Sequence, residues 1–167
     1  LAITQLSGSV VSLNKSKEEK SKYLFAAEGI ETALSIKNIL EKNKIANANV
    51  VATLGISNFS NLNRIGKPEE IVLVLDNDGA NAASTKAAQK AINNLKDDGL
   101  KVSSIKPTEM LEGKKTDYND LLQAGKTQAI AKDIQQVAGQ KTNNISRPEK
   151  LNTTQNPEPA KADREII

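Results

Sequence analysis

The feature that most constrains this chain is an apolar run that ends abruptly in two aspartates: residues 71–80 read IVLVLDNDGA. An unbroken apolar run bounded by polar turn residues is typical of a strand buried on both faces, as in a parallel sheet. Asp76 and Asp78 are then predicted at the carboxyl end of a central strand, where open α/β sheets build their sites. Two carboxylates one residue apart can both reach one hard cation, for which Mg²⁺ is the best fit.

Strand patterns recur along the chain and alternate with helical ones. Besides residues 71–75, they cover residues 23–27, 50–54 and 101–105, the last being more polar and predicted at a sheet edge. Such alternation is typical of βαβ units with right-handed crossovers. The sequence therefore predicts an α/β domain with a mostly parallel central sheet of about four strands flanked by helices.

Apolar residues spaced three and four apart predict the helices between these strands. The predicted helices cover, in order, residues 30–40, 57–63, 80–95, 117–123 and 127–137. Ser57 is predicted to cap the second helix, and Asp117 or Asp120 the fourth. The Ala-rich stretch 80–95 is the clearest helix, with small residues that allow close packing on the sheet.

The composition excludes several kinds of chemistry, because the chain contains no Cys and no His. Disulfides, zinc ribbons, thiol nucleophiles, imidazole bases and His-ligated metals are ruled out. Carboxylate, ammonium, guanidinium, hydroxyl and amide groups remain. The net charge of +3 is mildly basic and does not by itself indicate a nucleic-acid partner.

The two ends of the chain differ from its middle. Residues 1–21 predict a partial N-terminal region, with a weak strand or hairpin followed by a charged loop. Residues 22–138 predict the folded domain. Residues 139–167 predict a disordered polar tail or linker, because they contain too few apolar residues to order themselves. Since the chain begins with Leu1, we expect it to be a fragment or a processed piece of a larger protein.

The location in the cell is predicted from the length of the apolar runs and from the layout of the N-terminus. None is long enough to span a membrane, and the N-terminus lacks the layout of a signal peptide. A cytoplasmic protein without a membrane partner is therefore expected.

The acidic residues of the predicted strand ends form the candidate site. Glu28 follows one strand, Asp76 and Asp78 follow another, and Asp117 and Asp120 follow the last by one loop. Grouped carboxylates repel one another, and a divalent cation or proton uptake relieves the repulsion. A carboxylate without metal can act as general acid or base. Mg²⁺ on the aspartate pair fits phosphoryl or nucleotidyl transfer.

Each acidic motif also has an ordinary structural explanation. These explanations are turns for Asp78-Gly79 and Glu28-Gly29, and helix capping for Asp117 and Asp120. Asp76 is harder to explain in this way, because a carboxylate at the end of an apolar strand is partly desolvated. The joint placement of these residues is what favours a functional site.

Three blocks of the sequence resemble the toprim domain of topoisomerases, primases and related nucleases. The blocks are AEGIETAL at 27–34, LDND at 75–78 and DYNDLL at 117–122. They stand in the order found in the toprim domains of phage-type DNA primases and plasmid conjugal-transfer proteins of the relaxase/primase kind. The resemblance covers about residues 8–137.

The resemblance implies a Rossmann-like toprim fold for residues 22–138 and a role for each acidic residue. Glu28 would act as general acid or base and contact the metal. Asp76 and Asp78 would coordinate Mg²⁺, with Mn²⁺ as the alternative cation. The supporting residues would be Asp117, Asp120, Asn77 and Gly29, the last through close backbone approach at its turn.

The implied partners are nucleic acid (DNA, and an RNA primer for a primase), nucleotides, and the missing flanking modules of a larger protein. The chain departs from the family pattern after the aspartate pair, where Gly79 follows at once and Asn81 takes a position often held by a small residue. Zinc, relaxase-histidine and P-loop motifs are absent. Neither Tyr23, inside a strand, nor Tyr118, expected to pack, suits a topoisomerase nucleophile.

Two alternatives to a toprim enzyme remain at this point. One is a non-catalytic toprim remnant that binds DNA or a protein partner. The other is a small-molecule phosphotransferase or receiver-like domain, which places similar aspartates at a strand end. The second would need hydroxyl and lysine groups at later strand ends, and only Ser103, Ser104 and Lys106 approach that pattern.

Overall fold

A computed structural model of the chain describes residues 10–14, 21–79, 82–113 and 115–139. Most of the predicted N-terminal region, the departure at Asn81 and the predicted disordered tail after residue 139 lie outside the described residues.

Among these described residues, five strands form one sheet in the order β1-β3-β2-β4-β5. They are β1 (Val11–Ser12), β2 (Tyr23–Ala27), β3 (Ala48–Ala52), β4 (Glu70–Val74) and β5 (Val102–Ile105). Strands β3, β2, β4 and β5 are mutually parallel, and only β1 pairs antiparallel, with β3. The predicted mostly parallel sheet is confirmed. The weak N-terminal strand pattern adds a fifth strand, and the polar strand β5 lies at an edge as predicted.

In the described part of the chain, four α-helices and one 3₁₀ segment flank the sheet. The helices are α1 (Ile30–Lys42), α2 (Ala83–Asp97), α3 (Tyr118–Gln123) and α4 (Thr127–Ala138), and the 3₁₀ segment is Ile56–Arg64. The prediction of Ser57 as a helix cap is wrong, because the 3₁₀ segment already begins at Ile56 and no side chain caps it. The helix expected from residue 80 begins at Ala83, after an extended Ala82.

The core has two layers, one on each face of the sheet. One layer includes Phe25, Ile36, Ile39, Tyr118 and Ile130, contributed by β2 and by α1, α3 and α4. The other includes Leu24, Phe59, Leu73 and Leu95, contributed by β2, β4, α2 and the 3₁₀ segment. Burying each such side chain contributes about 1.5–3 kcal/mol. Because all five residues of β4 are buried, its carboxyl end is held from both faces of the sheet.

Candidate active site

The register of the two middle strands brings the first predicted carboxylates to one edge of the sheet. Ala27 of β2 lies opposite Val74 of the parallel strand β4, so Glu28 and Asp76 follow neighbouring strand ends. A cleft of about 390 Å³ opens at this edge, and Glu28, Asp76 and Asp78 all line it. The three carboxylates predicted to share this rim therefore lie together in one cleft.

Asp76 lies where the negative charges of several other carboxylates act on it. The pKa of Asp76 is raised from 3.8 to about 6, first by burial and then by the negative charges of Asp117, Asp78, Glu28 and Asp120. The other four carboxylates thus all lie close enough to act on Asp76. Because Asp76 remains an exposed residue, water screens part of this repulsion.

Asp78 is held by two neighbours. The Ser84 hydroxyl at the start of α2 donates a 2.7 Å hydrogen bond to its Oδ2. Lys115 places its Nζ 3.6 Å from the other carboxylate oxygen, Oδ1. The serine orients the carboxylate, while the lysine supplies one positive charge close to it.

Asn77, between the two aspartates, connects them to the loop that follows β5. Its backbone N–H donates to the carbonyl oxygen of Thr116 at 3.2 Å, in an isolated antiparallel bridge. Its side-chain Nδ2 donates to the carbonyl oxygen of Pro107 at 3.0 Å. The middle residue of the Asp-Asn-Asp motif therefore holds both ends of the loop beside the acidic pair.

Asp117 and Asp120 form a capping box at the start of α3. The Asp120 N–H donates to Asp117 Oδ1 at 2.7 Å, and the Asp117 N–H donates to Asp120 Oδ2 at 3.1 Å. The capping explanation is thus confirmed. Both charges nevertheless act on Asp76, so they also shape the electrostatics of the cleft.

The backbone around Glu28 is anchored from the end of β3. The Leu54 N–H donates to the Glu28 carbonyl oxygen at 2.9 Å. Leu54 adopts a φ of 58°, a left-handed conformation that is costly for a residue other than glycine. Gly29, in contrast, has an ordinary φ of −99°, and no described atom lies within 4 Å of where a Cβ would be. The protein's own packing therefore does not require glycine at position 29.

A buried aspartate that the sequence interpretation did not single out positions the same loop from behind. Asp133 of α4 accepts hydrogen bonds from the Thr108 N–H at 3.1 Å, the Thr108 hydroxyl at 2.6 Å and the Tyr118 hydroxyl at 3.2 Å. Its position among the buried residues Ile130 and Ile134, on the apolar face of α4, was the available signal.

Tyr118 packs in the core, as predicted. Its side chain is fully buried, and burial together with the Asp133 carboxylate raises the pKa of its hydroxyl far above the usual range. A buried phenol that keeps its proton is a poor nucleophile, so this environment suits packing and not attack on a phosphate.

The donor atoms of the cleft fit a hard divalent cation. Carboxylate oxygens are the ligands that Mg²⁺ prefers, and a cation would relieve the repulsion at Asp76. Across residues 10–14, 21–79, 82–113 and 115–139, no three acidic side chains converge closely enough to surround a metal ion as they stand. A cation held here by Asp76 and Asp78 would therefore keep several water ligands, as Mg²⁺ usually does in proteins.

Comparison with known proteins identifies one matching family. A family model described as Toprim domain matches residues 23–127, which span β2 to the start of α4. No curated protein matches the chain. Within the described residues, no helix has the length and apolar character needed to cross a bilayer.

Proposed function

The chain belongs to the toprim family, and from that premise we propose that it is a Mg²⁺-dependent catalytic domain for nucleotidyl transfer or phosphodiester chemistry on nucleic acid. One observation carries this proposal: Asp76 lies at the carboxyl edge of the sheet among four other carboxylates that raise its pKa. Such crowding is unfavourable for the protein alone and becomes favourable once a divalent cation binds. The proposed catalytic domain is residues 22–138.

Asp76 and Asp78 are the proposed metal ligands, with Glu28 as a further contact. Bound there, Mg²⁺ would neutralise negative charge on the phosphate oxygens of the substrate. Ser84 orients one oxygen of Asp78, and Asn77 keeps the two aspartates in place through its bonds to the loop. These residues prepare the carboxylates before a substrate arrives, which is how positioned groups lower a barrier.

Glu28 is the proposed general acid or base. It lines the cleft beside Asp76, and the Leu54 N–H holds its backbone. In this position its carboxylate would take a proton from an attacking hydroxyl or return one to a leaving oxygen. The Asp117 and Asp120 pair would support the site electrostatically while capping α3.

The larger context is proposed from the sequence blocks. We assign the chain to a DNA primase-like or conjugal DNA-transfer protein, with DNA, an RNA primer or nucleotides as partners and with flanking modules that hold the strand. A cytoplasmic location goes with this assignment.

The first experiment measures cation binding by isothermal titration calorimetry. Wild type is titrated with Mg²⁺ and Mn²⁺ beside Asp76→Asn/Asp78→Asn. A matched control, Asp97→Asn/Asp98→Asn, removes two adjacent carboxylates at the C-terminal end of α2. We expect wild type and control to bind and the site variant to lose binding at least tenfold. Equal binding by all three proteins contradicts the proposed metal site.

The second experiment separates catalysis from binding. Glu28→Gln should retain cation binding while nucleotidyl transfer or strand cleavage falls at least about 100-fold, the usual range for loss of a general acid or base. Its control is Glu31→Gln, which changes an exposed acid in the first turn of α1.

A non-catalytic remnant that binds DNA or a protein is the second candidate function. The Lys115 ammonium beside Asp78 favours it, because a resident positive charge can partly replace a cation. Under this alternative, wild type shows no cation-dependent turnover, and Glu28→Gln behaves like Glu31→Gln in every assay.

A further inference from the structure

The loop that follows β5 carries a lysine at each end. Lys106 comes directly after the last residue of β5, and Lys115 comes directly before the bridge residue Thr116. Asn77 bonds to Pro107 next to the first lysine and to Thr116 next to the second. One residue of the acidic motif thus sets the position of both ammonium-bearing residues relative to the cleft.

Further contacts hold the described residues of this loop, which are 106–113 and 115–116. Asp133 accepts two hydrogen bonds from Thr108, at 2.6 and 3.1 Å. Buried Thr116 accepts a 3.0 Å hydrogen bond from the Leu111 N–H through its side-chain oxygen. Residues held in this way have little conformational freedom left to lose, so they are organised in advance for binding.

The two lysines are available to a ligand. Lys106 lines the cleft, is exposed, and takes part in no ion pair within the described part of the chain. The side chain of Lys115 is 77% exposed, and its contact with Asp78 is long at 3.6 Å. An exposed ion pair of this length contributes little stability, so a stronger anion can displace it at small cost.

We propose that Lys106 and Lys115 form a phosphate clamp across the mouth of the acidic cleft, with Asn77 as its positioning residue. The clamp rests on the proposed function, because it names how that site would hold its substrate. An acidic cleft repels phosphate, and two ammonium groups on one loop offset that repulsion. When a phosphate binds, Lys115 leaves Asp78 for the phosphate oxygens, which frees Asp78 for a cation.

The chemistry recognised is a phosphate group, carried either by a nucleic-acid strand or by a free nucleotide. The test therefore has two arms, a fluorescein-labelled single-stranded DNA oligonucleotide followed by anisotropy and a deoxynucleoside triphosphate followed by calorimetry. Both arms use wild type, Lys106→Ala/Lys115→Ala, and a control, Lys67→Ala. Lys67 is equally exposed but precedes β4, at the opposite edge of the sheet.

For the oligonucleotide, we expect the clamp variant to bind at least tenfold more weakly than wild type. The slope of log K against log salt concentration should fall by about 1.4, since each lost contact to a single strand removes about 0.7. Lys67→Ala should bind like wild type. Lys106→Arg/Lys115→Arg should restore the slope, because arginine also binds phosphate. Thermal melting of each variant checks folding, which two exposed substitutions should not disturb.

The positioning role of Asn77 has its own readout. Asn77→Ala leaves every charge in place, so it should lower affinity several-fold with the salt slope kept. Added to the lysine double variant, it should cause no further loss, which is the non-additivity expected of residues in one unit. Additive losses would assign Asn77 a role separate from the clamp.

The outcomes distinguish this proposal from the one it rests on. Weakening in only one arm identifies whether strand or nucleotide is the ligand. The clamp is refuted if Lys106→Ala/Lys115→Ala binds both ligands as Lys67→Ala does, or if wild type binds neither. Failure of the proposed catalysis would instead appear as lost cation binding or turnover in proteins that still bind phosphate through the two lysines.

Discussion

Strand β4 has an acidic residue near each end, and the two carboxylates have opposite electrostatic surroundings. At the start, Glu70 is buried, accepts a 2.8 Å hydrogen bond from the Ser103 hydroxyl and pairs with the Lys101 ammonium at 2.9 Å. Just beyond the other end, Asp76 lies among four carboxylates that raise its pKa. One charge is compensated by the protein, and the other is crowded by it.

The difference separates an acid that stabilises the fold from one that we propose to act in the candidate site. A buried carboxylate with a hydroxyl and an ammonium partner contributes to the fold, and its removal leaves those partners unsatisfied. A carboxylate placed against others of the same sign lowers stability and is kept for what it binds. The comparison predicts opposite responses at the two ends of β4.

The largest expected effect on stability is at the start of the strand. Glu70→Ala should lower the free energy of unfolding by about 2 kcal/mol, because it removes charge-assisted hydrogen bonds at a buried position. The neighbouring Glu69 is exposed, so Glu69→Ala should change the free energy of unfolding by less than about 0.5 kcal/mol. Urea unfolding at pH 7 measures both. Similar values for the two variants would mean that the partners of Glu70 contribute nothing.

A cation should stabilise the other end. With free Mg²⁺ at ten times its Kd, linkage adds about 1.4 kcal/mol, or roughly 3–6 °C in Tm. Asp76→Asn/Asp78→Asn should show no such rise, while Glu70→Ala should keep it in full from its lower starting Tm. A rise that survives in the aspartate variant would place the cation elsewhere on the protein.

The pH dependence of stability should carry the sign of a raised pKa. The pKa of Asp76 is near 3.8 in the unfolded chain and about 6 in the folded one, so the folded state keeps this proton up to a higher pH. Its contribution to stability is therefore complete below pH 4 and is lost as pH rises to about 6. Because Asp76 is exposed, we expect a loss on the order of 1 kcal/mol or less.

The measurement is urea unfolding of wild type and Asp76→Asn at pH 4, 5, 6 and 7. The stability of wild type relative to the variant should decline across that interval. A constant difference would show that neither burial nor the neighbouring carboxylates raise the pKa of Asp76 in the folded state.

The smallest effect concerns backbone strain beside Glu28. Leu54→Gly should raise stability by about 0.5 kcal/mol, because glycine adopts a positive φ without strain and the leucine is already 39% exposed. Lys44→Gly, at the other non-glycine positive φ in the described residues, should give a similar gain. Turnover should stay unchanged in both variants, because the bond to the Glu28 carbonyl oxygen is donated by the backbone N–H of residue 54, which glycine keeps. A loss of turnover in Leu54→Gly alone would show that the leucine side chain itself contributes to the site.

Much of the site could be predicted because its acids follow strand ends. The apolar run before Asp76 and the strand before Glu28 are local patterns, and parallel pairing then brings their ends together. A cap by Asp117 or Asp120 was also predicted, and the structure uses both residues in one capping box.

The loop and the buried acids could not be predicted in this way. Asn77 bonds to Pro107 and Thr116, and Asp133 bonds to Thr108, through contacts that no local periodicity encodes. Glu70 is a charged residue close to the predicted turn before β4, so its sequence position does not indicate burial. The pairing of β4 with β5 brings the Ser103 hydroxyl beside its carboxylate. The expected cap at Ser57 was wrong because backbone conformation at the end of β3 set where the next segment began.

The position of β2 between β3 and β4 has a consequence for how the protein reaches its native state. Both neighbours pair with β2 in parallel, and parallel strands must be joined by a long crossover connection. Contacts between residues so far apart in sequence form slowly. The pairing of β2 with β4 is the one that brings the strand ends before Glu28 and Asp76 together. We therefore expect the candidate site to form only once this pairing is in place, so that cation binding followed during refolding should report the finished sheet.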